Sequence, residues 1–320
     1  MRPVLVAVGV DAGLPWHYGD PFAEQRLLES GRGSVDLSNR GVLRVEGVDR
    51  LGWLHSLTSA HLERLAPGVG TTAYVLDPNG HIEYVLSGVD DGESFWAFTE
   101  PGAVGPLVAW LDRMRFMMRV EVADVTADYA VIWRPGNAGP GLVRTAADSL
   151  GGHEEFVRRA ELDDVLGDAR AGTWAHDARR VAAGVPRIGV DTDARTIPNE
   201  LAMPDGQTLG PAVHLAKGCY RGQETVARVH TLGRPPRRLV RLQLDGSAEA
   251  LPEVGTRVLH EGRDVGFVGT SARHYEWGPI ALALVKRNVP VAATLSVAGI
   301  AAAQEPLVDP DVGLHVRPLH

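Results

Sequence analysis

The stretch RPPRRLVRLQL, residues 234–244, divides the chain into two kinds of sequence. Pro235-Pro236 fixes two consecutive φ angles and removes two backbone donors, so neither a helix nor a central strand runs through it. Beyond it, LVRLQL, TRVLH, DVGFVGTS, IALALV and ATLSV are short apolar-rich runs separated by turn residues. That spacing predicts a small all-β barrel or sandwich as a C-terminal domain over residues 235–320.

Residues 1–234 read differently. VLRVEG (42–47) alternates as a half-buried strand, and Asp49 is placed to cap a helix carrying Leu51, Leu54 and Leu57. TTAYVLDPNGHIEYVLSGV (71–89) predicts a hairpin about Asp77-Pro78-Asn79-Gly80, with Pro setting φ and Gly closing a type I turn. SFWAFTE is a third strand, AVGPLVAWLDRMRFMM a helix, and RVEVADVTADYAVIW two further strands. Residues 137–152 read as loops; helical pattern returns near Glu161 and over TWAHDARRVAAG, where Gly184 is a stop. Strands arrive in runs rather than alternating strictly with helices, which favours an α+β body of two subdomains over a doubly wound α/β fold.

The chain has 320 residues, 44% hydrophobic and 22% charged, as in soluble globular proteins of two or three packed units. The apolar start, PVLVAVGV, reads as a first strand rather than a secretory signal, and no run reaches the roughly 20 apolar residues of a membrane helix. A single cysteine, Cys219, excludes an internal disulfide and a C-x-x-C metal site, which fits a reducing cytoplasm. Phosphate loops, dinucleotide fingerprints, H-E-x-x-H and G-x-S-x-G are absent. DTDART (191–196) lacks the glycine and distal glutamate of a calcium loop and reads as a turn.

Net charge is −8, unsuited to a nucleic-acid-seeking chain, yet its distribution is uneven. Lys217, Arg221, Arg228, Arg234, Arg237, Arg238 and Arg241 face one acid, Glu224, giving +6 between residues 217 and 241 and −14 elsewhere. Such an island either focuses an anionic ligand or is a solvated basic face. At its start lies KGCYRGQE: Lys217, Gly218, Cys219, Tyr220, Arg221, Gly222, Gln223 and Glu224. The two glycines let backbone approach a flat ligand closely, and the flanking Lys217 and Arg221 are expected to favour the Cys219 thiolate. On composition alone Cys219 reads as a buried, inert thiol rather than a functional one.

KGCYRGQE resembles the K-G-C-[YF]-x-G-Q-E motif of the YgfZ-type folate-binding proteins, relatives of the glycine-cleavage T protein, the tetrahydrofolate-dependent aminomethyltransferase. WHYGDP (16–21), VDLSNRGVLRVEGVDRLGWLHSLTS (35–59), RIGVDTDARTIPNE (187–200) and DVGFVGTSARHYEWGPIALALV (264–285) resemble other parts of that superfamily, in order. The resemblance implies a three-part, cloverleaf-like body with a central hole for tetrahydrofolate or a derivative, often polyglutamylated. Glu200 stands where the T protein's pterin-gripping glutamate lies; a carboxylate accepts two parallel hydrogen bonds from an aminopyrimidine edge. Arg228, Lys217 and Arg221 are the candidates to meet the anionic tail, Arg228 nearest.

The T protein's acidic pair is replaced here by Tyr84 and Val85, with Glu83 on the opposite face from Tyr84. That departure argues against aminomethyl transfer, which needs a group to handle the proton. The resemblance therefore implies a monomeric, cytoplasmic, folate-binding accessory factor for iron–sulfur cluster assembly or repair. Dependent enzymes, including tRNA-modifying ones, and cluster carriers would be its clients. Cys219 is then the functional thiol, as nucleophile, redox group or one ligand of a shared cluster, with no metal held by the chain alone. The competing reading is a folate-dependent aminomethyltransferase or demethylase.

Overall fold

The computed structural model describes residues 2–202, 207–247 and 249–311. The chain forms two compact units, one of Met1–Val75, Tyr84–His176 and Lys217–Tyr220, the other of Leu76–Glu83, Asp177–Ala216 and Arg221–His320. Helices and mostly antiparallel sheets are mixed throughout, an α+β architecture.

The first unit holds two five-stranded sheets. One runs in the order Gly70–Leu76, Ile82–Asp90, Ser94–Thr99, Gly41–Glu46, Glu121–Asp124. Helices Arg50–Leu57 and Val104–Arg113 bury Trp53, Leu54, Leu107 and Leu111 against Leu43, Val75, Leu86 and Phe95 of that sheet. The other sheet runs Val143–Arg144, Gly152–Arg158, Tyr129–Pro135, Ser34–Asp36, Arg170–Ala171. Gly152–Arg158 continues into a strand what composition suggests is a loop ending at residue 152. Asp49 does not cap its helix by a side-chain bond. Its carboxylate takes the Arg119 fork at 2.9 and 2.7 Å, and those hydrogen bonds hold its pKa down to about 2. The apolar N-terminus supplies only the two-residue strand Val4–Leu5.

In the second unit six strands close a barrel, in the order Arg237–Leu244, Gly278–Lys286, Arg263–His274, Arg257–His260, Leu295–Val297, Ile300–Pro306. Its interior is the alternate set of apolar residues, among them Val240, Leu242, Val258, Val268, Ala283 and Val297. The helix over TWAHDARRVAA spans Thr173–Ala183 and stops at Gly184, φ +72°.

The compact units do not divide at Pro235-Pro236. Residues 177–216 and 221–234 group with the barrel, and side-chain bonds tie part of the first segment to its strands. Arg180 donates to Asp191 Oδ2 at 2.6 Å and to Thr270 Oγ1 at 2.5 Å, and Arg237 of the first barrel strand reaches back to Asp193 and Glu200. No helix among the described residues is long and apolar enough to cross a membrane.

Candidate functional site

The boundary between the units falls within KGCYRGQE, after Tyr220. In the first unit Lys217 is a clasp. Its ammonium donates to the carbonyl oxygens of His55, Thr58 and Ala60, where helix Arg50–Leu57 ends. Three donors meet three acceptors at the end of a helix that favours a cation. The ammonium also lies 5.0 Å from the Tyr220 ring centre. Burial pushes the Lys217 pKa down to about 8 and the Tyr220 hydroxyl up to about 12.

This makes Lys217 a checkable group. Between pH 8 and the ordinary lysine value of about 10.4, the unfolded chain holds a proton that the folded chain has lost. Stability therefore rises with pH through that window as far as Lys217 contributes. Competitive amine labelling is expected to find one lysine titrating near 8, lost in Lys217→Met; a uniform profile near 10 for every lysine contradicts the burial of this ammonium.

Cys219 is exposed, not a buried thiol. The two cations beside it in sequence are engaged elsewhere: Lys217 by carbonyls, and Arg221 by Glu83 at 3.0 Å within the second unit. Gly218 has open space where a side chain would stand. Gly222 does not. It sits in the left-handed region at φ +80°, and a Cβ there would lie 2.4 Å from the Asp77 carbonyl oxygen and 2.9 Å from Gly80 Cα. The second motif glycine thus lets helix Gln223–Leu232 start directly on the tip of the Asp77–Gly80 turn, backbone against backbone.

Glu200 closes a 3₁₀ turn, Pro198–Glu200, whose proline suits its first position. Its side chain has 0% exposure. Oε2 accepts from Ile197 N at 3.2 Å, and Arg237 forks onto both oxygens, Nε to Oε1 and Nη2 to Oε2, each at 2.8 Å. The same guanidinium donates to Asp193 at 2.6 and 3.0 Å and to Thr196 Oγ1 at 3.2 Å. Burial alone would raise the Asp193 pKa, but the bonds from Arg237 and Thr196 bring it to about 2. Burial alone would lower that of Arg237, and its two carboxylates raise it instead. Beside Glu200, the Asn199 amide donates to Val226 O at 3.3 Å while its buried Oδ1 has no hydrogen-bond partner among the described residues.

The basic island is consequently not a free positive surface. Arg238 is buried and donates to Arg287 O, Val289 O and Gln304; Arg241 bonds Ala182 O and Glu305; Arg234 pairs with Asp311. Arg228 alone of the seven is exposed with no side-chain partner among the described residues. Arg237 and Asn199 are the members that sequence reasoning missed. Arg237 was visible only as one charge in the island, since nothing local ties it to a glutamate 37 positions earlier. No group of three or more His, Cys, Asp and Glu side chains among the described residues is arranged to hold a metal ion.

Of the residues that the resemblance aligns with the T protein's acidic pair, Tyr84 and Val85, Tyr84 packs against the core of the first unit, while the neighbouring Glu83 pairs with Arg221.

No family model matches the chain. It is 26% identical to an aminomethyltransferase of Synechococcus sp. (strain CC9902) over 318 residues, 85% of this chain and 84% of that one. An aminomethyltransferase of Methylococcus capsulatus is also 26% identical, over 81% of each chain. The iron–sulfur cluster assembly factor IBA57 homolog, mitochondrial, of Mycosarcoma maydis is 27% identical over 64% of this chain and 55% of its own. Among solved structures, the glycine cleavage system aminomethyltransferase T from Bartonella henselae superposes with a TM-score of 0.74 over 92% of this chain and 91% of that one, at 18% identity. The mixed α+β units with their closed C-terminal barrel are thus a T-protein-like fold, and over most of its length the chain is a sequence relative of the aminomethyltransferases.

Proposed function

We propose that this protein binds a reduced folate and serves as an accessory factor in iron–sulfur cluster assembly or repair, with Cys219 as its working thiol. The observation that carries this reading is the exposure of the single cysteine within KGCYRGQE, in a chain similar both to aminomethyltransferases and to an iron–sulfur assembly factor.

The residues present fit a folate. A carboxylate offers about four acceptor directions, and three of those on Glu200 are used by Arg237 and Ile197. Asn199 Oδ1, buried in the same turn with no hydrogen-bond partner among the described residues, is a further acceptor for a donor-rich ring. Glu200 and Asn199 would hold the aminopyrimidine, and Arg228 would meet the anionic tail. When bound, the folate supplies a one-carbon carrier. Aminomethyl transfer is disfavoured because Tyr84 and the Arg221-bound Glu83 leave no free acid at that point of the chain. One exposed thiol cannot hold a cluster alone, which needs about four protein ligands, so a client or carrier protein supplies the rest.

Two measurements test this. Calorimetric titration with 5-formyltetrahydrofolate is expected to give binding that weakens at least about tenfold in Glu200→Gln, the scale of one lost charge-assisted contact. Equal affinities would remove Glu200 from the site. In a strain lacking the gene, Cys219→Ala is expected to fail to restore cluster-dependent enzyme activities; full rescue would take the thiol out of the function.

A further inference from the structure

Arg237 and Glu200 form a two-point ion pair in the second unit, its carboxylate fully buried. The guanidinium presents two parallel N–H groups, Nε and Nη2, to the two carboxylate oxygens at 2.8 Å each. An aminopyrimidine edge presents the same pattern: a ring N–H and an exocyclic amino group, parallel and in one plane. The protein's own side chain thus offers Glu200 what the ligand would offer it, and a carboxylate with no exposure cannot serve both forks at once.

The arrangement also contains an alternative partner. Asp193, on the segment just before the Glu200 turn, takes Nη1 at 2.6 Å and Nη2 at 3.0 Å. Its side chain is 40% exposed, so it tolerates a shift of the guanidinium toward solvent that Glu200 would not. Arg237 can therefore leave one carboxylate without leaving both, which keeps the cost of release below that of stranding a buried charge.

We infer that Arg237 is an internal competitor for the Glu200 carboxylate: ligand binding requires it to release Glu200 and rest on Asp193. The inference deepens the folate-binding reading and rests on it. The affinity observed is then the intrinsic affinity scaled by the fraction of molecules in which Arg237 is released. Lysine at 237 keeps a positive charge for both carboxylates but cannot form the two-point fork.

The test is titration of 5-formyltetrahydrofolate into the full chain and its variants, read beside the ¹H–¹⁵N resonance of Arg237 Nε. Arg237→Lys is expected to bind about tenfold tighter, because one charge-assisted competitor contact is weakened. Asp193→Asn is expected to bind more weakly, because released Arg237 loses its resting partner. The Arg237 Nε signal, identified by its absence in Arg237→Lys, is expected to shift on saturation of the wild type. Unchanged or weaker binding by Arg237→Lys, with Glu200→Gln still impaired, overturns the competitor role and makes Arg237 a support that holds Glu200 for the ligand. An unmoved Nε signal in the saturated protein overturns it equally. Glu200→Gln binding as well as wild type, or no binding by any form, overturns the folate site itself and the competitor with it.

Discussion

Replacing Asp191 by alanine is expected to destabilise the protein by about 4 kcal/mol, because it takes from the buried Arg180 guanidinium the nearer of its two carboxylates, leaving Asp177 at 3.1 Å. Asp191 has 0% exposure and accepts hydrogen bonds on both oxygens. Oδ1 accepts from Thr270 N at 2.6 Å; Oδ2 accepts from Arg180 Nη1 at 2.6 Å and Arg187 N at 2.7 Å. Thr270 N is free to donate because strand Arg263–His274 shifts register between Val268 and Ser271. Gly269, inside that irregularity, lies so close that a Cβ would stand 2.3 Å from Asp191 Oδ1. The carboxylate therefore ties helix Thr173–Ala183, the loop after it and the barrel wall at one point.

In thermal unfolding the Asp191→Ala variant should melt about 6 °C lower. Asp191→Asn, which keeps an acceptor but loses the charge, should fall between it and the wild type. The double variant Asp191→Ala/Arg180→Met should recover part of the loss, since it removes the buried charge along with its nearer partner. Additive losses would show that the pair is not coupled.

That residue also marks where sequence reading stops. The Asp77–Gly80 hairpin is legible because proline and glycine fix a turn locally, and Gly80 N indeed donates to Asp77 O at 3.0 Å. Five barrel strands are legible from their apolar periodicity. The sixth, Ile300–Pro306, is not, since IAAAQEP is built of alanines with little strand preference. Asp191 looks like a turn residue in DTDART until Arg180 and Thr270, 11 and 79 positions away, come into contact with it. The basic island fails for the same reason. A count of charges sees seven cations together, whereas folding assigns six of them to separate carbonyls and carboxylates and leaves Arg228 exposed. The position of Glu200 follows from a family resemblance, but its engagement by Arg237 is a long-range pairing that no local pattern encodes.

The two glycines of KGCYRGQE give the sharpest remaining contrast. Gly222→Ala is expected to cost about 3 kcal/mol, combining a left-handed backbone with an overlap that neither partner can relieve by rotating a side chain. Its Cβ would meet the Asp77 carbonyl oxygen at 2.4 Å and Gly80 at 2.9 Å, all backbone atoms. Gly80 is constrained in turn, since a Cβ there would lie 2.9 Å from Thr225 Cβ on the helix that Gly222 begins. The pair lets helix Gln223–Leu232 seat on the hairpin tip, where Ile82 N also bonds Thr196 O at 2.9 Å. Gly218→Ala, in the same motif, meets nothing within 4 Å and should change stability by less than about 0.5 kcal/mol. Denaturant unfolding of the two variants beside wild type checks the contrast. If both glycines instead serve close approach to a flat ligand, both variants will keep wild-type stability and lose folate affinity together. Loss of stability confined to Gly222→Ala assigns that glycine to the packing of helix on hairpin, and leaves the Cys219 side of the motif free to meet a partner.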